Sequence, residues 1–146
     1  RVCARLTDSA GVCAMTPAVY GIRLVRKGRS VRLYPPYDVL TGWQTRAGKT
    51  HECKVNVTGD LSKAVAARMI LVTWCGTHAD AVGINGRKVV AKVGRNHDYA
   101  CDSVPVPVKW IRPGVNTLYT HAKTEHHGIE VQWPGIALVV QYETDP

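Results

Sequence analysis

Between residues 50 and 57 apolar and polar side chains alternate strictly, with Cys53, Val55 and Val57 on one side of an extended chain. A period of two predicts a half-buried strand. Residues 68–75, Arg-Met-Ile-Leu-Val-Thr-Trp-Cys, are almost continuously apolar. Such a run predicts a strand central in its sheet. Asn85-Gly86 lies between the extended segments 81–84 and 87–93 and is the chain's strongest hairpin signal. Near the C-terminus the apolar strand 136–142 follows a Trp133-Pro-Gly135 corner and a short strand at 128–132. Toward the N-terminus a short strand around residues 2–6 precedes a loop. Residues 20–26 and 30–34 then alternate apolar with basic positions around Lys27-Gly28, which reads as a hairpin. Pro105 and Pro107 place the extended segment 99–108 at a sheet edge. Only residues 59–67 read as helical: Asp60 is a candidate cap, the Ala content allows a turn or two, and a single turn is favoured over a long helix. Strand, Asn-Gly turn, strand, Pro-Gly turn, strand and corner together predict an all-β protein, an antiparallel jelly-roll-like β-sandwich with at most one short helix.

Length changes this picture little. The 146 residues suit one domain with its own core, divided into an N-terminal strand and loop (1–18), a basic hairpin (20–34) and a jelly-roll core (50–142). No apolar run approaches the ~18 residues of a membrane span. The net charge of +8 predicts attraction to polyanions, or simply solubility. No nucleic-acid reader motif accompanies it, so nucleic acid ranks last among partners. The five cysteines, Cys3, Cys13, Cys53, Cys75 and Cys101, include no C-x-x-C pair. In a β-rich chain they fit a secreted protein with two disulfides and one free thiol; five reduced thiols are the alternative. Asn56-Val-Thr58 is an N-glycosylation sequon.

Several motifs resemble a known group. Asp60-Leu with an Ala-rich spacer, Met69-Ile-Leu-Val, Asp80-x-Val-x-Ile-Asn-Gly86 and Trp110-x-x-Pro-Gly-x-Asn-x-Leu118 resemble the jelly-roll accessory modules of secreted glycan-active proteins, the galactose-binding-like and carbohydrate-binding-module-like domains. The resemblance covers about residues 50–142 and rests on scaffold motifs. It implies a β-sandwich and a glycan ligand, without naming the ligand. The basic hairpin has no counterpart in that pattern.

Four constellations could carry chemistry. Sugar faces stack on open aromatic rings, and the candidates are Tyr34, Tyr37 and Trp43 around the Pro-rich loop, with Tyr99 beyond it. Trp43 has an equally good reading as a plug in one end of the sandwich, while Trp74, Trp110 and Trp133 read as packing residues. Arg23 and Arg32 belong to a basic outer surface whose guanidinium forks match carboxylate or sulfate oxygens, or else keep a sheet edge solvated. His121, Glu125 and His127 share a loop with imidazole and carboxylate ligands for zinc or copper, though solvated loop histidines explain them as well. Calcium would draw on the turn carboxylates Asp8, Asp80, Asp98 or Asp102, none in EF-hand spacing. No hydrolase, P-loop or dinucleotide signature occurs. The reading is therefore a non-catalytic, lectin-like carbohydrate-binding domain of a secreted protein, without an obligatory cofactor and biased towards anionic glycans. The alternatives are a self-associating extracellular fibre, coat or matrix domain, and a small metal-dependent enzyme.

Overall fold

The computed structural model describes residues 28–144 in full, together with the backbone of three strands before them: β1 (Ala4–Thr7), β2 (Cys13–Thr16) and β3 (Arg23–Arg26). β1 and β2 pair with each other as an antiparallel hairpin. The remaining strands are β4 (Arg29–Tyr34), β5 (Gln44–Thr45), β6 (Lys49–Val57), β7 (Ala64–Trp74), β8 (Ala81–Ile84), β9 (Arg87–Val90), β10 (Tyr99–Val106), β11 (Gly114–Ala122), β12 (Ile129–Val131) and β13 (Ala137–Glu143). They form a larger sheet, β3-β4-β13-β7-β12-β5 with β10 on the other side of β7, and a smaller one, β6-β11-β8-β9. Every pairing is antiparallel.

The two sheets face each other as an antiparallel β-sandwich, and the side-chain period dictates which residues meet. Ala67, Met69 and Leu71 of β7 and Leu138 and Val140 of β13 point inward. They share one buried cluster with Cys53, Val55 and Val57 of β6, Val82 and Ile84 of β8, and Leu118 of β11. As the apolar run predicts, β7 is central: β10 lies along one side, β13 and then β12 along the other. β10 pairs with β7 alone, so Pro105 does sit in an edge strand, and Pro107 follows it at the start of a 3-10 turn.

The helical reading of residues 59–67 holds only for its first turn. Asp60 caps a single 3-10 turn, Leu61–Lys63, through its carboxylate, which accepts from the Ser62 amide at 3.0 Å. The Ala-rich stretch after it is the start of β7, because pairing with β13 and burial of Ala67 outweigh a weak helix propensity. Two further 3-10 turns, Gly76–His78 and Val108–Trp110, complete the helical content of the described residues.

The two scaffold motifs meet through paired asparagines. Asn85 and Gly86 both adopt positive φ (51° and 75°), as a two-residue turn matched to strand twist requires. Asn85 Nδ2 donates to Asn116 Oδ1 at 2.8 Å and to the Trp110 carbonyl at 2.9 Å. The fully buried Asn116 also accepts from the Arg112 amide and donates to the carbonyls of Arg112 and Gly114. One side chain thus closes the Arg112–Gly114 corner and ties it to the β8–β9 hairpin. Asn116→Ala leaves these backbone groups unpaired, at roughly 1–3 kcal/mol per buried group. Chemical denaturation is expected to show about 2–3 kcal/mol less stability, whereas Asn56→Ala on the exposed face of β6 is expected to change it within about 0.5 kcal/mol.

Candidate functional site

Of the two sequence readings of Trp43, the structure has the plug. Trp43 and Thr45 flank Gln44 on β5 and its lead-in, so both point inward while Gln44 points out. Trp43 is only 3% exposed, and its indole N–H donates to Thr120 Oγ1 at 2.8 Å. It plugs the sandwich and offers no ring face to a ligand. Tyr34, 5% exposed, is likewise buried: its hydroxyl is 2.7 Å from that of Tyr142 and accepts from the Gly59 amide. Burial and the Tyr34 hydrogen bond push the Tyr142 phenol well above its usual pKa.

Arg32 also departs from expectation. It stands opposite Val140 on the core-bearing side of β4, with its guanidinium 5.6 Å from the centre of the Tyr142 ring, so it is no part of a basic outer surface. Arg23 is in register with Arg32 on β3; its side chain lies outside the described residues. Tyr37 is 40% exposed and bridges to Lys54 of β6. Tyr99, 59% exposed, begins β10.

Trp133, read as a packing residue, is 82% exposed. It follows the end of β12 in a turn where the Gly135 amide donates to the Gln132 carbonyl at 2.9 Å and the Trp133–Pro134 bond is cis. Gly135 has a φ of 103°, and a Cβ there would crowd the Val39 methyls at 3.2 Å, so the 36–39 loop is packed under the corner. Trp133 lines a groove of about 530 Å³ together with the 39–42 loop. Trp43 and Val131 form its floor, and Gln44, Glu130 and Gln132 supply its polar groups. Gln44 Nε2 donates to Glu130 Oε1 at 3.1 Å and to the His127 carbonyl at 2.9 Å, which sets the amide orientation.

The groove continues onto the outer face of the larger sheet. Gln44 is opposite Glu130, Glu130 opposite Trp74, and Trp74 opposite Tyr99. Directly paired residues point to the same face, so these four form a row across β5, β12, β7 and β10. At ~4.8 Å between strands the row is roughly 14 Å long. His97 and His127 pack edge-on against Trp74, with ring centres 6.0 and 5.6 Å away.

The proposed metal ligands are not brought together. His121 Nδ1 lies 3.0 Å from Thr50 Oγ1 at the β11–β6 pairing, whereas His127 turns to Trp74 and His97; Glu125 is exposed. Among the described residues no three His, Cys, Asp or Glu side chains are arranged to hold a metal ion. Of the turn acids, Asp80 accepts from the Lys123 amide and Asp98 from Arg95 and the Tyr99 amide; Asp102 Oδ2 is buried without a partner, and Asp8 lies outside the described residues.

The disulfide expectation is corrected for the cysteines whose side chains are described: Cys53, Cys75 and Cys101 are free thiols. Cys53 faces the core from β6 while Cys101 is exposed on β10, so the sheet separates them. Cys75 follows β7 and its sulfur accepts the His97 amide at 3.3 Å. Cys3 and the Cys13 side chain lie outside the described residues. Burial pushes the Cys53 thiol up to about 11. Asn56 is exposed on β6. Among the described residues no helix is long and apolar enough to cross a membrane.

No known sequence family matches the chain, and no curated protein matches it by sequence. Solved structures do match. One is BpGH86A, a β-porphyranase of glycoside hydrolase family 86 from the human gut bacterium Bacteroides plebeius, at TM-score 0.60 and 16% identity over 92% of this chain. Another is a BuGH86 variant in complex with neoagarooctaose, at TM-score 0.59 and 18% identity over 79% of this chain. The chain spans only 23% and 19% of those proteins. At such identity the likeness establishes a shared β-sandwich-like fold, found within carbohydrate-active proteins.

Thiol accessibility checks this geometry. In native protein Cys101 is expected to react readily with an alkylating reagent, while Cys53 and Cys75 react only after unfolding; peptide mapping reads which sites are labelled. Partial burial, and then the neighbouring imidazoles of His126, His97 and His78, hold His127 below its usual pKa. A histidine whose folded pKa is lowered contributes stability above its unfolded value that is lost as pH falls through the folded one. Stability is therefore expected to decline on acidification from about pH 6.5 downward, and His127→Asn is expected to flatten that decline in melting curves taken across the range.

Proposed function

We propose that this chain is a non-catalytic carbohydrate-binding domain, with the groove beside Trp133 as its glycan site. The observation that carries this reading is the exposure of Trp133 at the rim of a groove furnished with amide and carboxylate groups. A solvent-open indole gains by covering the apolar C–H face of a sugar ring. Gln44, Glu130 and Gln132 offer donors and acceptors to the hydroxyls at the ring edge. The buried Trp43 beneath them keeps the site formed before the ligand arrives, which lowers the ordering cost of binding. Among the described residues Glu130 is the one acid lining the groove, whereas glycoside hydrolysis ordinarily uses two carboxyl groups flanking the bond. That supports binding without turnover.

The fold's occurrence within family 86 proteins guides the choice of ligand: neoagarooctaose is a first probe, beside neutral and sulfated galactan fragments. Calorimetry is expected to show binding without bond cleavage by the native domain. Trp133→Ala is expected to weaken it roughly 10–100-fold with the melting temperature unchanged, because the ring lies outside the core. Equal affinity of variant and native protein would move the site elsewhere; failure of every glycan in the panel to bind would remove the reading.

A further inference from the structure

Four histidines from three separate turns converge, two of them against the Trp74 ring. His78 comes from the turn after β7, His97 from the turn before β10, and His126 and His127 from the turn before β12. Ring centres are 4.8 Å apart for His97 and His127, 3.9 Å for His126 and His127, 6.2 Å for His78 and His97, and 6.4 Å for His78 and His127. Among the described residues none of the four forms an ion pair. His78 Nε2 lies 3.0 Å from Asn96 Oδ1, while the ring nitrogens of His97, His126 and His127 have no hydrogen-bond partner among the described residues.

The backbone beneath them is strained. Cys75, His97 and His127 have φ of 54°, 51° and 55°, the left-handed region, which histidine enters more readily than cysteine does. Such positions persist where surrounding structure enforces them, and they gather at binding sites. Here they bring imidazoles together beside an open aromatic row.

We propose that His78, His97, His126 and His127 form an oxyanion subsite, which binds a sulfate or carboxylate substituent of a glycan lying along the Trp74 row, with the imidazoles protonated in the bound state. The inference rests on the glycan-binding reading and gives that site its ligand class. A protonated imidazole presents two N–H donors and no acceptor, which matches the several acceptor oxygens of an oxyanion. Among the described residues these side chains are not arranged to hold a metal ion. The groups facing His127 are the imidazoles of His126, His97 and His78 and the carboxylate of Glu130, which is held by Gln44. Within the His97 turn, Asp98 is paired with Arg95 at 3.1 Å. Imidazoles therefore outnumber the free carboxylates around the site. Desolvation and the neighbouring imidazoles oppose protonation of His127 in the free protein, and an oxyanion offsets this, so ligand binding and proton uptake at His127 favour each other.

The test has two arms. Histidine ring resonances are titrated with pH by NMR in sodium sulfate and in sodium chloride of equal ionic strength. Sulfate is expected to raise the midpoints of His97 and His127, with His121, held by Thr50, as the internal reference. Sulfated, uronate-containing and neutral oligosaccharides are then compared at about pH 5.5 and about pH 8, on either side of the imidazole range. At least one acidic class is expected to bind about tenfold or more tightly at the lower pH, and which class gains identifies the substituent. Neutral binding is expected to stay constant. The paired variant His97→Asn with His127→Asn, chosen because asparagine tolerates positive φ, is expected to lose the pH effect and keep neutral binding. Neutral binding with no pH effect for either acidic class would overturn the subsite and leave the glycan reading standing. Sulfate-shifted histidines with no glycan bound would support the subsite and defeat the glycan reading. Stoichiometric zinc uptake by these histidines, with midpoints indifferent to sulfate, would replace the oxyanion with a metal.

Discussion

The Thr120 hydroxyl joins the two sheets at the point on which the groove depends. It lies on β11 of the smaller sheet, fully buried. It accepts the Trp43 indole N–H and lies 2.7 Å from Thr45 Oγ1 on β5 of the larger sheet. β5 is only two residues long and ends its sheet, so pairing with β12 alone would hold it weakly. The buried polar contact adds what that short ladder lacks, and a buried hydroxyl left without partners is costly enough to make the arrangement specific. From that fixed point Gln44 must project outward, and the Val131 amide donates to the Trp43 carbonyl at 3.0 Å, which sets β12 beside it. The groove's polar groups are thus placed by an interaction none of them makes.

The sequence disclosed the scaffold more fully than the site. Alternation at Cys53, Val55 and Val57, the apolar run of β7 and the Asn85-Gly86 turn each carry a local signal that tertiary structure reinforces. Asn85 and Asn116 stood out as motif members, and the structure shows why: each satisfies backbone groups that hydrophobic pattern cannot reach. The Ala-rich start of β7 misled, since alanine favours helix by only fractions of a kcal/mol and a paired neighbour decides otherwise.

The tryptophans were not legible, for a related reason. Trp43 and Trp133 carry the same side chain next to similar turn residues, and composition cannot separate them. What distinguishes them is a partner 77 residues away for Trp43 and, for Trp133, a corner that leaves its ring open to solvent. Arg32 failed in the same way: the face it occupies follows from pairing with Val140. The histidine cluster combines turns that sequence separates, and only the register of β7, β10 and β12 brings them together. A lone histidine in a polar loop gives no hint of such neighbours.

An open tryptophan beside a preformed polar groove, continued by an aromatic row and flanked by histidines, is a surface suited to an extended ligand rather than to a small buried one. The four tryptophans of the chain are natural reporters of that surface, one in the groove wall, one in its floor, one in the row and one at the far turn. The most direct measurement is a titration with neoagarooctaose and with sulfated galactan fragments, followed through the indole N–H resonances. Trp133 is expected to shift first and furthest, with Trp74 responding to longer chains and Trp43 and Trp110 holding still. Silence at Trp133 while a glycan saturates the protein, or a response led by Trp110, would contradict this reading.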